Sequence, residues 1–175
     1  WVIWLVDADA QKLKALPKIM ERVKAVDAFR KASKAASTRE YPYPMLFRQV
    51  TQPVCDYILI PRHSSENRKY IPFGFFPKDH IVADSCNSLP GATLYHFGVL
   101  SSAMHMAWVS YTCGRLKSDY RYSKDIVYNN YPWPEAPSEK QKLAIEEAAQ
   151  AVIDARAAHP SDTLADLYDP LRTPA

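Results

Sequence analysis

Glycine is scarce in this chain, and its positions limit the folds that the chain can adopt. Only four of the 175 residues are glycine, at positions 74, 91, 98 and 114. A site for a nucleotide-type cofactor needs a glycine-rich turn between a strand and a helix, because glycine lets the backbone approach the ligand closely. None of these glycines has a partner glycine in such a pattern. The sequence therefore predicts no cofactor-binding turn within this chain.

The order of apolar and polar segments predicts an α+β fold, with a mixed or antiparallel sheet flanked by helices and a C-terminal helical extension. A hydrophobic content of 47% is enough for a sizeable core. We predict strands over residues 1–6, 55–61, 70–72, 80–83, 93–96 and 126–128, with a turn at 87–91. We predict helices over residues 9–37 with a restart at Pro17, over 97–112 with a left-handed cap at Gly114, over 138–158 and over 162–168.

The charge of the chain is unevenly distributed. Residues 1–134 carry a net charge of +7 and residues 135–175 a net charge of −4. A basic body suits a polyanionic partner, although charge alone is a weak indication. The basic helical segment 12–34 is one candidate for phosphate contacts, but a solvated helix face is the favoured interpretation there.

Cysteine usage and hydropathy indicate a protein of a reducing compartment. The three cysteines, at 55, 86 and 113, form neither a C-x-x-C pair nor an even framework, so we expect free thiols. The sequence shows no signal peptide, and the run 97–114 is too short and too polar to span a bilayer. We expect a cytoplasmic protein without membrane contact. Because the chain begins at Trp1, we also expect it to be part of a longer polypeptide.

One motif resembles a catalytic turn. The segment Asn130-Tyr-Pro-Trp133 resembles the Asp/Asn-Pro-Pro-aromatic turn with which amino-methyltransferases bind a flipped base. Tyr131 replaces the first proline, and the glycine turn for the methyl donor is missing, so a rigid structural turn is the favoured interpretation. The histidines lack metal-ligand spacing, and His105 is predicted to be a core residue. We predict neither a catalytic residue nor a metal ligand in this chain.

An alternating polar stretch follows the second long helix. If residues 115–121 are extended, Arg115, Lys117, Asp119 and Arg121 project from the same face. Lysine and arginine donate to guanine O6 and N7, and aspartate accepts from cytosine N4, so Lys117 and Asp119 are a candidate pair for one G·C base pair. The pattern by itself favours a solvated edge strand with cross-paired charges.

A second polar cluster follows the strongest predicted strand. Arg62, Arg68 and Lys69 are candidates for phosphate contacts, with the hydroxyl groups of Ser64 and Ser65 assisting. An ordinary exposed loop explains the same pattern equally well.

Long collinear segments resemble the C-terminal part of the MmeI-type (type IIL) restriction–modification enzymes, in which a nuclease, an adenine-N6 methyltransferase and a target-recognition domain share one polypeptide. The resemblance covers nearly the whole chain. The segments include Leu16-Pro-Lys-Ile-Met-Glu-Arg-Val23, Phe29-Arg-Lys-Ala-Ser33, Phe47-Arg-Gln49, Pro61 to Phe75, Phe97-Gly-Val-Leu-Ser-Ser102, Met104-His-Met-Ala-Trp108, Cys113-Gly-Arg-Leu116, Tyr120 to Pro134, and the tail from Gln141 to Pro170.

The resemblance implies a DNA target-recognition domain over residues 1–134 and an incomplete C-terminal helical segment over residues 135–175. It also implies double-stranded DNA as partner, and an upstream methyltransferase domain of the same polypeptide that binds S-adenosylmethionine. In the family, the positions of Lys117 and Asp119 vary together and track one base of the recognition sequence.

The pair found most often at these positions is an acid followed by arginine, so the swapped order here implies guanine on the methylated strand where the usual pair reads cytosine. Arg121 matches a further base-reading position, and Asp84 and Ser85 match another variable region. Among the basic residues of the polar segments, Arg115 is expected to contact a phosphate.

Three other functions remain open from the sequence. A specificity subunit of the type I kind usually carries two similar recognition domains, and the chain has no internal repeat. A small enzyme that uses Asn130 and Trp133 would lack its cofactor turn. A protein-interaction module without a role on DNA is the third alternative.

Overall fold

The structure, a computed structural model, describes residues 2–172 and divides into two compact units. The first, Trp1–Thr51, is here called the N-terminal unit, and the second, Gln52–Ala175, the sheet unit. The predicted boundary at residues 134 and 135 does not coincide with this division.

The N-terminal unit is helical. It contains α1 (Ala10–Lys14), α2 (Pro17–Lys31) and α3 (Ala36–Arg39), and Pro17 opens α2 at its first turn, as its lack of an N–H predicts. The Arg30 guanidinium donates to the carbonyl oxygens of Tyr43 at 3.0 Å and Leu46 at 2.8 Å, which ties the segment after α3 to α2.

The strand predicted over residues 1–6 is wrong for residues 2–6, while Trp1 lies outside the described residues. Within residues 2–172, no strand pairs with this segment. The Trp4 ring instead stacks on Phe47, with 5.6 Å between the ring centroids. An apolar run without a pairing edge does not form a sheet, since its backbone groups need partners.

The sheet unit holds two small antiparallel sheets, which confirms the predicted α+β class. The first sheet, sheet A, has the order β3-β1-β4, with β1 at Tyr57–Pro61, β3 at Gly74–Phe76 and β4 at Cys86–Pro90. The second, sheet B, has the order β2-β6-β5, with β2 at His63–Ser64, β5 at Gly114–Leu116 and β6 at Asp119–Arg121. All pairings in both sheets are antiparallel.

Several short predicted strands are wrong. Residues 70–72 and 80–83 form no strand, the predicted turn 87–91 lies mostly within β4, and residues 126–128 belong to a π-helix, Lys124–Tyr128. The predicted strand 93–96 is the start of α4 (Leu94–Leu100), because Thr93 and His96 form a capping box.

The predicted helix 97–112 consists of the end of α4 and a second helix, α5 (Ala103–Thr112). The Ser102 hydroxyl accepts from the His105 N–H and caps the new helix. Gly114 does not form the predicted left-handed cap. It is the first residue of β5, and Gly91 is the described glycine with a positive φ, at 64°.

The C-terminal helices pack on the core of the sheet unit. The predicted capping box of Ser138 and Gln141 is confirmed and opens α6 (Glu139–Ala157), and the last predicted helix is α7 (Leu164–Leu167). Ala149 of α6 belongs to the buried core, and the Arg156 guanidinium donates to the Phe73 carbonyl oxygen at 2.8 Å. The segment after residue 135 is therefore integral to this hydrophobic core.

His105 is a buried core histidine, as predicted. It is 1% exposed, its Nε2 lies 3.1 Å from the Tyr122 hydroxyl, and its ring also hydrogen bonds the backbone of Leu100. Burial lowers the pKa of His105 to about 4, so the ring is neutral at pH 7. A neutral ring has one donor and one acceptor, which these two partners satisfy.

The remaining sequence expectations concern thiols and membranes. Cys55 is exposed, Cys86 is half-buried and Cys113 is buried, and all three are free thiols. Among residues 2–172, no helix has the length and apolar character needed to cross a bilayer.

Candidate nucleic-acid interface

The three polar segments singled out in the sequence converge in the sheet unit. Residues 63 and 64 form β2, which pairs with β6 of the 115–121 segment, with His63 opposite Arg121. The segment with Asp84 and Ser85 leads into β4, which pairs with β1. Sheet B and its junction with sheet A therefore bring together segments that are up to 59 residues apart in the sequence.

The stretch from Arg115 to Arg121 is a two-stranded hairpin, not the single extended strand that we predicted. Leu116 pairs with Asp119, so Lys117 and Ser118 form a two-residue turn. Lys117 has φ 57°, a left-handed conformation that is uncommon for a residue with a side chain. A polar Lys-Ser-Asp segment between Leu116 and Tyr120 was the available turn signal.

The four predicted side chains consequently do not form one row. Arg115 is opposite Tyr120, and its guanidinium carbon lies 3.9 Å from the centroid of that ring. Asp119 and Arg121 lie on the other face of β6, because alternate residues of a strand point in opposite directions. Lys117 occupies the tip.

Arg115 stabilises the hairpin by contacts with two of the hairpin's own residues. Its Nη1 donates to the carbonyl oxygen of Ser118 at 2.9 Å, and its guanidinium stacks on the ring of the buried Tyr120. The side chain remains exposed, so the contact with a phosphate stays a prediction.

Asp119 links the hairpin to the loop after β2. Its Oδ1 accepts from the backbone N–H of Glu66 at 3.1 Å. Both Lys117 and Asp119 are exposed, and so is Arg121. The hairpin thus presents a basic tip with a carboxylate fixed beside it.

Ser64, the last residue of β2, is less accessible than the sequence suggested. Ser64 is 4% exposed, and its Oγ accepts a long hydrogen bond, 3.5 Å, from Arg68. The burial of this hydroxyl argues against a phosphate contact, and the contact predicted for Ser64 stays a prediction. Ser65 Oγ accepts from the N–H of Asn67 within a turn, while Lys69 is exposed.

Arg62 also has a structural role that the sequence did not indicate. Its Nη1 donates to the carbonyl oxygen of Asp84 at 2.8 Å, so at least one of its donors is engaged within the protein. Asp84 and Ser85 are both exposed beside it.

The three converging segments together carry a net positive charge, although the sheet unit as a whole carries a net negative charge. Residues 62–69, 84–85 and 115–121 contain six Lys/Arg and three Asp/Glu, whereas residues 52–175 contain twelve and fourteen. The cationic side chains of the sheet unit are thus concentrated on the candidate interface. Such local concentration is the pattern expected of a nucleic-acid interface.

The catalytic alternative at Asn130 is not supported by the geometry. The Asn130 amide donates to the carbonyl oxygens of Asp125 at 2.7 Å and Ile126 at 3.1 Å, where it closes the π-helix. The Trp133 ring packs edge-on against Tyr128 and Tyr131. Among residues 2–172, no group of three His, Cys, Asp or Glu side chains is arranged to hold a metal ion.

The small α+β unit with its basic, exposed hairpin has the features of a nucleic-acid-binding domain. The chain is a member of the MmeI family: residues 1–135 match the MmeI target recognition domain and residues 137–175 match the MmeI C-terminal domain. This membership confirms the resemblance seen in the sequence.

Two similar proteins support the assignment. A DNA methyltransferase A from Bacillus subtilis (strain 168) is 38% identical over 175 residues, which cover 99% of this chain and 20% of that protein. A solved structure of the Type IIL restriction-modification enzyme MmeI in complex with DNA is 46% identical, with a TM-score of 0.94 over 99% of this chain and 23% of that one. The chain therefore spans about a fifth of the length of the relatives it matches.

Proposed function

We propose that this chain recognises a specific sequence in double-stranded DNA, and that it directs an adenine-N6 methyltransferase in the same polypeptide to that sequence. The observation that carries the proposal is the hairpin of β5 and β6, which presents Lys117 and Asp119 at an exposed tip. A two-stranded ribbon of this kind fits the major groove, where each base pair has a distinct set of donors and acceptors. The similarity to MmeI, solved in complex with DNA, supports the same function.

The tip has the chemistry to recognise one G·C base pair. The Lys117 ammonium donates to O6 and N7 of guanine, and the Asp119 carboxylate accepts from N4 of cytosine. Because Oδ1 of Asp119 already accepts from Glu66, the second carboxylate oxygen is the one offered to the base. We place the guanine on the methylated strand. We assign Arg121, on the same face as Asp119, to a further base.

Phosphate contacts supply affinity without sequence information. Arg68, Lys69 and Arg115 are the basic residues that we assign to this role, with Ser65 assisting. The methyltransferase part of the polypeptide, placed in the cytoplasm with the DNA, would hold S-adenosylmethionine, since this chain lacks the glycine turn for it.

Exchange of the two charges tests the proposal. In the full-length protein, the double variant Lys117→Asp, Asp119→Lys should change the preferred base at one position of the recognition sequence. The binding free energies of the preferred base and of the other bases should differ by about 1–3 kcal/mol. Mapping of methylated adenines in DNA exposed to each protein measures the change.

The exchange of Glu139 and Lys142 is the matched control. These residues form an exposed ion pair on α6, 2.7 Å between Lys142 Nζ and Glu139 Oε1, outside the segments of the candidate interface, and their exchange should leave the methylated sequence unaltered. An unaltered sequence for the hairpin variant as well would contradict the assignment of Lys117 and Asp119.

A further inference from the structure

Arg62 lies where the two sheets meet, between β1 and β2. Its backbone N–H donates to the Ser85 carbonyl oxygen at 3.0 Å, and its own carbonyl oxygen accepts from the N–H of Tyr122 at 2.8 Å. Its guanidinium donates to the Asp84 carbonyl oxygen at 2.8 Å. One residue therefore hydrogen bonds to the segment of Asp84 and Ser85 and to the residue that follows the hairpin.

The segment of Asp84 and Ser85 is a tight turn. The N–H of Cys86 donates to the Ala83 carbonyl oxygen at 3.0 Å, so Asp84 and Ser85 are the two central residues, and both are exposed. The two hydrogen bonds from Arg62 hold the backbone of this turn at its two central carbonyl groups, and neither of the two exposed side chains takes part in them.

We propose that Arg62 is a positioning residue for sequence recognition. It holds the turn Ala83–Cys86 at a fixed separation from the hairpin, so that Asp84 and Ser85 meet one base pair while Lys117 and Asp119 meet another in the same groove. Base readout demands side chains held to within about 0.5 Å, which a turn fastened at one end does not achieve alone. The inference rests on the proposed function and deepens it.

Removal of the guanidinium separates this role from a phosphate contact. Arg62→Met keeps the length of the side chain and removes the guanidinium bond to the Asp84 carbonyl oxygen, while the backbone hydrogen bonds to Ser85 and Tyr122 remain. In the full-length protein, mapping of methylated adenines should show about tenfold weaker preference at the base pair read by the turn, with the preference read by Lys117 and Asp119 retained. The Ser85→Ala and Asp84→Ala variants identify which base pair the turn reads. A phosphate contact would instead weaken binding equally for all sequences.

A matched arginine controls for general loss of stability. The Arg30 guanidinium likewise donates to backbone carbonyl oxygens, in this case to two of them, but within the N-terminal unit. Arg30→Met should leave the recognition sequence unaltered, even if it lowers the unfolding temperature as much as Arg62→Met. Arg62→Lys, which retains a charged donor, should show a smaller loss at the same base pair. If Arg62→Met does not fold, the comparison of Arg62→Lys with the parent protein provides the test.

Two results would overturn the inference. One is an unaltered recognition sequence in Arg62→Met, and the other is an equal relaxation at every position. If either accompanies a normal effect of the Lys117 and Asp119 exchange, only the role of Arg62 fails. If the exchange itself has no effect, the assignment of Lys117 and Asp119 within the proposed function fails, whatever Arg62→Met does.

Discussion

Lys117 is the residue where local strain and proposed function coincide. A left-handed backbone costs a residue with a Cβ roughly 1–2 kcal/mol relative to the right-handed region. Glycine or asparagine is the usual residue at such a place in a two-residue hairpin turn. A lysine in this conformation, at φ 57°, is explained if the ammonium group itself is needed at the tip.

Replacement of Lys117 by glycine should therefore separate stability from recognition. We expect Lys117→Gly to raise the free energy of unfolding by about 1 kcal/mol, because the strain disappears. The same variant should lose preference at the base pair assigned to the hairpin tip. Urea unfolding and methylation mapping measure the two effects, and Ser118→Gly, at the adjoining turn position without a positive φ, is the control. A drop in stability would show that Lys117 makes stabilising contacts in the fold.

At the scale of elements, the packing of α4 on α6 depends on a glycine. A Cβ added to Gly98 would lie 2.6 Å from Cγ2 of Ile145 and 2.9 Å from its carbonyl oxygen. The second atom belongs to the backbone of α6 and cannot move aside without a shift of the helix. Gly98 therefore sets how closely the C-terminal helix approaches the core.

Gly98→Ala should destabilise the chain although alanine is the better helix former. Overpacking of a close contact costs about 1–3 kcal/mol, which exceeds the gain of about 1 kcal/mol in helix propensity. Thermal unfolding should show a lowered midpoint. The matched control is Gly114→Ala, where the new Cβ would lie 3.8 Å from the nearest atom, the Arg121 carbonyl oxygen, and stability should change little. Equal stability of Gly98→Ala and the parent would mean that α6 shifts without cost.

Elements with a local signal were predictable, and elements without one were not. Pro17 and the capping box of Ser138 each mark a helix start through hydrogen bonds within a few residues, and β1 is a continuous apolar run. The short segments predicted as strands at 93–96 and 126–128 are helical, because a strand depends on a partner that is distant in sequence.

At the scale of the whole chain, charge is separated between the units. The N-terminal unit carries ten Lys/Arg and five Asp/Glu, a net charge of +5, while the sheet unit carries a net charge of −2. The overall charge of +3 thus describes neither unit. In the sheet unit, the affinity for DNA that we propose would come from the basic residues gathered around sheet B.

The salt dependence of DNA binding should show which of these basic residues contact phosphates. In the full-length protein, Lys69→Ala should weaken binding to cognate and non-cognate DNA by the same factor and reduce the slope of log K against log salt by about 0.9, the value for one phosphate. Fluorescence anisotropy at several salt concentrations measures the slope. Lys140→Ala, an exposed lysine on the acidic α6, should leave the slope as it is. A larger effect on cognate than on non-cognate DNA would assign Lys69 to base readout.

The sequence by itself determined the α+β class, the free thiols, the capped C-terminal helix and the family. These depend on composition, on local hydrogen bonds and on long collinear motifs. The polar residues of the site could be named from the same motifs, because their types match the edges of bases and phosphates.

Only the tertiary structure decided how these residues are presented. Arg115 to Arg121 fold back at Lys117 because β6 pairs with both β5 and β2, which places Asp119 and Arg121 on one face and Arg115 on the other. Ser64 is buried, and Arg62 hydrogen bonds to the turn at Asp84 and Ser85, although the sequence predicted both as exposed polar residues. Long-range strand pairing sets burial and side-chain direction, and no local pattern encodes it.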